Sequence, residues 1–166
     1  MIFILQGISG SGKSTIAKSM NGVVVNRDSI REQLFSLGND HSSYYRDINL
    51  KENEKLVSEI EFDMVANILK KNLDVIIDAT HLEEKYIKKW EVFNQPIEIL
   101  KLNTDIEICI QRDLKRERSV GESIIRKQFE KFKKINYQPK LRELNNLRKK
   151  PSCYIFDLDN TLYKIG

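Results

Sequence analysis

The feature that most constrains this chain is the glycine-rich segment Gly7-Ile-Ser-Gly-Ser-Gly-Lys13-Ser14. It matches the phosphate-binding pattern G-x-x-x-x-G-K-[ST], in which glycines let backbone N–H groups turn toward a phosphate without Cβ clashes. An apolar run at residues 2–5 precedes it, and a helical pattern at residues 14–20 follows. Because this context agrees with the motif, a phosphate loop is favoured over an ordinary glycine-rich turn, and a parallel α/β sheet is predicted.

The same motif predicts which atoms hold a nucleotide and its metal ion. Lys13 is expected to bridge the β- and γ-phosphates of ATP, the Ser14 hydroxyl to bind Mg²⁺, and Thr15 to donate to the α-phosphate. The positive end of the following helix adds to the attraction for phosphate. The predicted nucleotide-binding residues of the loop are Gly7, Ser9, Gly10, Ser11, Gly12, Lys13, Ser14 and Thr15.

Short apolar runs alternate with helical patterns along the rest of the chain. Strands are expected at residues 2–5, 23–26, 74–78 and 97–102, with a last strand at 153–157. Helices are expected at residues 14–20, 29–37, 50–71, 83–93, 104–116 and 122–134, with a loop at 38–49. Thr104 and Glu107 have the spacing of a capping box at the start of the 104–116 helix. The prediction is a three-layer α/β fold with a central parallel sheet of four or five strands.

Charge is distributed unevenly over the 166 residues, although the net charge is only +4. Residues 111–150 contain 14 Lys and Arg against five Asp and Glu, a net +9, which leaves −5 on the remainder. Such a segment suggests a polyanionic partner, or else a solvated helical face. No apolar run approaches the roughly 20 residues of a membrane span, and residues 1–5 lack the basic leader of a signal peptide. With Cys109 and Cys153 alone, a reducing cytoplasm is the expected setting.

Asp28 and Arg31 follow the predicted strand at residues 23–26, next to the phosphate loop. In an open parallel sheet, ligands bind beyond the carboxyl ends of the strands. A carboxylate there can accept the proton of an attacking hydroxyl, and a guanidinium one helical turn away can hold a phosphate of the acceptor. The alternative is that Asp28 only caps the following helix, since Asp is a preferred N-cap residue. The two roles are compatible.

Three further side chains are candidates for the same site. Asp78 ends an apolar strand, the form of a Walker B element, so it is expected to reach Mg²⁺ through water or to orient Arg31; a simple turn role is the alternative. Arg112 and Arg116 share one helix face just before the break at residues 119–121. A helix, a break and a second helix at about 111–134 are typical of a lid whose cations neutralise a transferred phosphoryl group. Arg116 is the first candidate there.

These motifs, in this order, resemble the kinase domain of the phage polynucleotide 5′-kinase/3′-phosphatase family. The resemblance covers most of residues 1–150 and includes Asn-Arg-Asp-Ser-Ile-Arg at 26–31, Ile-Ile-Asp-Ala-Thr at 76–80 and Gln-Arg-Asp-Leu-Lys-Arg at 111–116. It implies a P-loop kinase-like fold with residues 1–150 as the kinase domain. It also implies that Asp28 is the general base, Arg31 contacts the 3′-phosphate of the terminal nucleotide, Asp78 supports Arg31, and Arg116 contacts ATP.

The activity implied is transfer of the γ-phosphate of ATP to the 5′-hydroxyl end of DNA or RNA in nucleic-acid end repair. A virus-encoded enzyme would act in the host cytoplasm. Homo-oligomer formation and a separately encoded phosphatase domain or ligase are left open as further partners. Two other interpretations remain: a P-loop kinase for a small hydroxyl metabolite or nucleoside, and a nucleotide-binding regulatory module without transfer activity.

Residues 151–166 resemble a different family. The segment Tyr154-Ile-Phe-Asp157-Leu-Asp159-Asn-Thr161-Leu looks like the first motif of haloacid-dehalogenase phosphatases, and a final sheet strand is the alternative. Such a phosphatase also needs a later Lys and a later acidic pair, which cannot fit in the five residues after Thr161. We therefore expect no phosphatase activity from this chain.

Overall fold

The computed structural model describes residues 1–37, 41–139, 154–156 and 162–164. The strands are β1 (Ile2–Gln6), β2 (Val23–Asn26), β3 (Val75–Asp78), β4 (Ile97–Lys101), β5 (Tyr154–Phe156) and β6 (Leu162–Lys164). The α-helices are α1 (Lys13–Ser19), α2 (Arg27–Phe35), α3 (His41–Arg46), α4 (Leu50–Lys70), α5 (Glu84–Lys88), α6 (Ile106–Leu114) and α7 (Glu122–Lys134). A 3₁₀ helix, Lys89–Phe93, continues directly from α5.

A four-stranded parallel sheet organises these elements, in the order β2-β3-β1-β4. The two central strands, β1 and β3, are buried along their whole length, which explains their uninterrupted apolar sequences. All four strands run in one direction, so their carboxyl ends meet at one edge of the sheet. The predicted α/β fold with four parallel strands is confirmed.

Alternate residues of β1 point into two separate apolar layers, as the two-residue period of a strand requires. Ile2 and Ile4 join a core with Val57 and Val65 of α4 and the buried Trp90, while Phe3 and Leu5 pack on the opposite face with Ala17 of α1. Helices therefore cover both faces, giving the predicted three layers. A third cluster contains Ile8, Leu82, Cys109, Ile110, Ile125 and Phe132, and it fastens α6 and α7 to the end of β1.

Three local predictions differ from the structure. The segment predicted as a loop at 38–49 contains α3, because Tyr44 is buried against Phe35, with ring centroids 5.1 Å apart. The predicted helix at 83–93 changes to a 3₁₀ helix at Lys89. The predicted capping box at Thr104 is wrong: Asp105 caps α6 by accepting from the N–H groups of Glu107 and Ile108.

A strand is present within the predicted range 153–157, namely β5, but the expectation of a fifth strand in the central parallel sheet is wrong, because β5 pairs antiparallel with β6 in a separate two-stranded sheet. The candidate phosphatase residues Asp157, Asp159 and Thr161, together with Cys153, lie outside the described residues, so the domain division at residue 150 stays a prediction. Within the described ranges, no helix is both long and apolar enough to cross a membrane.

Candidate active site

A cleft of about 1260 Å³ lies at the carboxyl ends of β1, β2 and β3. It brings together residues that are far apart in sequence. Among the predicted site residues other than glycines, only Ser11 and Arg112 do not line it. The predicted site residues that line it are Ser9, Gly10, Gly12, Lys13, Ser14, Thr15, Asp28, Arg31, Asp78 and Arg116. The edge of the sheet expected from the strand pattern is therefore the site.

The phosphate loop has a geometry that depends on two glycines. Gly10 and Gly12 have φ angles of 83° and 98°, in the left-handed region that other residues rarely adopt. A Cβ on Gly10 would also lie 2.4 Å from the Cys109 carbonyl oxygen, because α6 packs directly against the loop. The sequence pattern thus reflects both backbone conformation and a close approach of the neighbouring helix.

Lys13 folds back across this loop. Its ammonium donates to the carbonyl oxygen of Ile8 at 2.7 Å and to Ser11 Oγ at 3.4 Å. Burial lowers the pKa of Lys13 to about 8, although the nearby carboxylate of Asp78 opposes the shift. The ammonium is therefore preset in the loop, mostly protonated at neutral pH, and Ser11 contacts it rather than lining the cleft.

Three side chains hold the loop from outside, and two of them were not among the sequence candidates. Thr104 Oγ1 donates to the carbonyl oxygen of Ser11 at 2.9 Å, and the N–H of Ser9 donates to Oε1 of Gln128 at 2.8 Å. Arg112 Nη1 donates to the carbonyl oxygen of Gly10 at 3.3 Å. Arg112, predicted as a nucleotide-binding residue, thus supports the loop backbone in this structure.

Asp28 lies in the first turn of α2, and it does not cap that helix. The N-cap is Asn26, whose Oδ1 accepts the N–H of Ser29 at 2.9 Å, so the interpretation of Asp28 as the cap residue is wrong. The Asp28 side chain is 75% exposed and accepts from Arg31 Nη1 at 2.6 Å. Among the described residues its second oxygen has no hydrogen-bond partner, so it is open to a hydroxyl in the cleft.

Arg31 is oriented by a residue that sequence patterns did not indicate. Glu54 of α4 accepts from Arg31 Nε at 2.6 Å and from Nη2 at 2.9 Å. This bidentate pair fixes the plane of the guanidinium and leaves one N–H on each Nη group for a ligand. The expectation that Asp78 supports Arg31 is not met in this structure, because the carboxylates that contact Arg31 are those of Glu54 on α4 and Asp28 on α2.

Glu54 is the centre of a larger network. It also accepts from Arg27 Nη2 at 2.9 Å and from the Tyr44 hydroxyl at 2.8 Å. Burial alone would raise the pKa of Glu54, but hydrogen bonds from Arg31 and Tyr44 outweigh it and lower the pKa to about 2. Arg27 in turn binds Glu61, which is 1% exposed and also accepts from Lys89 at 2.6 Å. The helix wall of the cleft is therefore built from linked ion pairs.

Asp78 lies at the end of β3, 5% exposed, between the two halves of the site. Its Oδ2 accepts from the Asn26 side-chain amide at 2.9 Å, which ties the ends of β3 and β2 together. Its charge also acts on Lys13 across the cleft. His81 nearby is neutral at neutral pH, because burial lowers its pKa to about 4, and its Nδ1 donates to the Leu5 carbonyl oxygen at 2.7 Å.

The lid role expected of residues 111–134 stays a prediction; these residues are the end of α6, α7 and, between them, the segment 115–121. Arg116 and Arg118 project from it into the cleft lining, and Arg118 forms an ion pair with Glu32 of α2 at 3.4 Å. The lid therefore contacts both sides of the cleft, through this pair and through Gln128 at the phosphate loop.

Other cations of the basic segment are paired on the surface. Arg126 binds Glu107 and Glu122, and Lys131 binds Glu83 at 2.7 Å. Such exposed pairs fit the interpretation of α7 as a solvated face. Residues 140–150, which contain five of the 14 cations of this segment, lie outside the described part of the chain.

The comparisons with known proteins agree with this geometry. Residues 2–139 match the family described as AAA domain, AAA_33, which covers the phosphate loop, the cleft and the lid. The chain belongs to this family.

Relatives of this AAA domain protein include a viral protein and two solved structures. The "Putative bifunctional polynucleotide kinase/RNA ligase" of Autographa californica nuclear polyhedrosis virus is 27% identical over 97% of this chain but 24% of its own length. The "Structure of the Pnkp1/Rnl/Hen1 RNA repair complex" matches 95% of this chain and 52% of that chain, with TM-score 0.69 and 24% identity. The "Structure of Pnkp1/Rnl/Hen1 complex" matches 93% and 48%, with TM-score 0.57 and 23% identity.

These matches support the α/β fold of the AAA domain, and they cover only part of each relative's length. The chain spans about a quarter of the curated relative and about half of each solved chain. At 24% and 23% identity, the solved structures show a shared α/β fold.

The residues around the loop also fit a magnesium nucleotide. Within the described residues, no group of three or more His, Cys, Asp or Glu side chains is arranged to hold a metal ion. Mg²⁺ at nucleotide sites is held mainly by phosphates and water with one or two protein oxygens. The Ser14 hydroxyl, in the exposed first turn of α1, offers an oxygen of this kind, and its role as a Mg²⁺ ligand stays a prediction.

Proposed function

We propose that this chain is a polynucleotide 5′-hydroxyl kinase domain that transfers the γ-phosphoryl group of ATP to the end of a DNA or RNA strand. The observation that carries the proposal is the Asp28–Arg31–Glu54 arrangement, which lies in the same cleft as the phosphate loop. It combines an open carboxylate with an oriented guanidinium. A nucleotide-binding module without transfer activity needs neither group.

The nucleotide half of the mechanism uses the loop and the lid. Backbone N–H groups of residues 10 and 12–14 and the Lys13 ammonium hold the phosphates of ATP. The Ser14 hydroxyl would hold the Mg²⁺ ion, which would offset negative charge on the phosphates. Arg116 neutralises charge that develops on the transferred phosphoryl group, which raises the rate only if the guanidinium is already in place.

The acceptor half uses the α2 residues. Arg31 holds the phosphate on the 3′ side of the terminal nucleotide with its two remaining Nη hydrogens. This contact brings the terminal 5′-hydroxyl to Asp28, whose free oxygen takes the proton. The 5′ oxygen forms a bond to the γ-phosphorus, the bond from that phosphorus to the bridging oxygen breaks, and ADP leaves.

Several findings support a polynucleotide rather than a small metabolite as the acceptor. The viral relative is named a polynucleotide kinase joined to an RNA ligase, although the chain covers only part of it. Tyr45, Tyr86 and Lys89 also line the cleft, and its volume of about 1260 Å³ leaves room for more than one nucleotide. Because ligases join 5′-phosphate ends, a ligase is the partner activity that would consume the product.

The test is incubation with γ-labelled ATP and short DNA and RNA strands that carry a 5′-hydroxyl. Label is expected at the 5′ end, and the same strands with a 5′-phosphate are the matched control. Small hydroxyl metabolites and nucleosides are tested in parallel. Label on those acceptors alone would assign a metabolite kinase, and ATP binding with no labelled acceptor would assign a regulatory module.

A further inference from the structure

The lid is shaped by one buried carboxylate at its base. Asp113 is the penultimate residue of α6 and is 1% exposed. We propose that Asp113 is the positioning residue of the lid, which folds residues 115–121 into the one loop conformation that presents Arg116 to the nucleotide. The catalytic use of Arg116 rests on the function proposed above; the folding of the loop by Asp113 does not.

Three hydrogen bonds from the loop converge on the Asp113 carboxylate. Oδ2 accepts from Ser119 Oγ at 2.7 Å and from the N–H of Gly121 at 2.9 Å, and Oδ1 accepts from the N–H of Val120 at 3.1 Å. A fourth contact, from the N–H of Arg116 to the Asp113 carbonyl oxygen at 3.0 Å, starts the loop. Both ends of residues 116–121 are therefore tied to one residue.

A buried carboxylate is stable only when hydrogen bonds compensate its lost hydration. Burial alone would raise the pKa of Asp113, but the bonds from Gly121, Ser119 and Val120 outweigh it and hold the pKa below its ordinary value. The carboxylate therefore stays ionised at neutral pH, and its charge is satisfied by this loop conformation. An opened loop would leave the charge without those three partners.

The loop also requires a backbone conformation at Gly121 that residues other than glycine rarely adopt. Its φ of 94° and ψ of 144° favour glycine, and a Cβ there would meet no atom within 4 Å, so backbone conformation rather than space is the constraint. Gly121 also accepts from the N–H groups of Ile124 and Ile125 at the start of α7. Asp113 thus sets where α7 begins, and α7 carries Gln128 to the N–H of Ser9.

The test combines two substitutions and one structural readout. Asp113→Ala is expected to lower turnover about 10- to 100-fold, because small displacements of a catalytic group cost that much, and to weaken ATP binding measured by calorimetry. In an Arg116→Ala background, Asp113→Ala is expected to change either quantity less than about twofold, since the two residues act as one unit. Amide hydrogen exchange at Val120 and Gly121 is expected to accelerate in the Asp113→Ala protein.

The controls separate loop positioning from general stability. Asp105→Ala removes a carboxylate acceptor from the opposite end of α6 and should leave turnover, ATP affinity and lid exchange unchanged. Asp113→Asn keeps the size of the side chain and should have an intermediate effect, so it serves if the alanine protein does not fold. Unchanged exchange at Val120 and Gly121, or fully additive losses with Arg116→Ala, would overturn the proposal. If ATP binds but 5′-hydroxyl strands are not labelled, the proposed function fails while the affinity and exchange data still decide the role of Asp113.

Discussion

The cleft has two walls, one at the nucleotide site and one at the proposed acceptor site, and different interactions hold each of them in place. The nucleotide wall, residues 7–15 with the lid at 115–121, is held mainly by backbone geometry and by single hydrogen bonds such as Thr104 to Ser11. The acceptor wall, α2 with the facing residues of α3 and α4, is held by ion pairs that share Glu54 and Glu61. The phosphate loop of the first wall is a run of consecutive residues, although the hydrogen bonds that brace it span 93 to 119 residues of the chain. The ion pairs of the acceptor wall span 23 to 34 residues and involve residues that share no sequence motif. The difference predicts where each wall fails.

The largest expected effect is on the acceptor wall, at its one chemically reactive group. Asp28→Asn keeps a hydrogen-bond acceptor for Arg31 but cannot take a proton from the acceptor. Turnover with a 5′-hydroxyl strand should fall by about 10²- to 10⁴-fold, the usual contribution of a general base, while ATP affinity by calorimetry stays the same. Ser29→Ala, next in the chain, keeps the N–H that Asn26 caps and should retain full activity. Loss of ATP binding in Asp28→Asn would instead make Asp28 a structural residue.

The second largest effect is expected from a substitution that breaks the ion-pair network of the acceptor wall and leaves the nucleotide wall intact. Glu54→Gln removes the charge that orients Arg31 and Arg27, so the KM for the strand should rise about tenfold or more and the KM for ATP should not change. Unfolding should also become easier by about 1–3 kcal/mol, because buried charged donors lose their partner. Urea titration of Glu54→Gln and of the wild-type protein measures this difference in the free energy of unfolding.

The matched control for that prediction lies on the same helix. Glu59→Gln removes an exposed carboxylate that faces Lys55 at 3.9 Å, and such pairs contribute about 0.5 kcal/mol or less. The Glu54 contribution also has a defined pH window. Its pKa is lowered from 4.5 to about 2, so its stabilisation is present above pH 4.5 and is lost as the pH falls toward 2. A loss of the same size in Glu59→Gln would contradict a special role for Glu54.

The same contrast explains how far the sequence could be interpreted. The loop at residues 7–14 was predicted because its chemistry is written in consecutive residues, and the strands of the sheet were predicted because their apolar runs are uninterrupted. Asp28, Arg31 and Arg116 were found from their position after a strand or before a break. The structure brings all of them into one cleft, although their chemical roles stay proposals.

What the sequence missed depends on packing between distant elements. Glu54 lies in an ordinary charged stretch of α4, and only the approach of α2 and α3 gives it four donors, so Asp78 was named in its place. Asp113 and Gln128 were missed for the same reason. The helix at His41–Arg46 was missed because it forms around buried Tyr44, and apolar spacing in residues 38–49 is too sparse to show it.

On the nucleotide wall, the buried ammonium of Lys13 should make ATP affinity depend on pH. Lys13 must be protonated to hold phosphate, and its pKa is lowered from 10.5 to about 8 by burial. ATP affinity should be constant below pH 7.5 and fall by up to about tenfold for each unit above pH 8. Lys13→Met should bind weakly with no such pH dependence.

Folding stability should change with pH in the opposite direction to ATP affinity, so the two measurements check each other. Because the folded pKa of Lys13 lies below its unfolded value, loss of the proton favours the folded state, and its stability contribution rises between pH 8 and 10.5. Calorimetric titration and thermal unfolding over the same pH range should thus move in opposite directions. An ATP affinity that stays constant through pH 9 in the wild-type protein would contradict the role given to the Lys13 charge.

The smallest expected effect tests whether the acceptor wall distinguishes a strand from a single nucleotide. Tyr45 is 51% exposed in the cleft lining, and its ring is nearly perpendicular to that of the buried Tyr44, with centroids 5.3 Å apart. We expect its exposed surface to stack on a base beyond the phosphate that Arg31 holds. Tyr45→Ala should raise the KM for an oligonucleotide about fivefold, which corresponds to about 1 kcal/mol of stacking, and leave a nucleoside 3′-monophosphate unaffected. Tyr45→Phe keeps the ring and should behave as wild type. An equal rise for both acceptors would show that Tyr45 supports Arg31 instead of stacking on the following base.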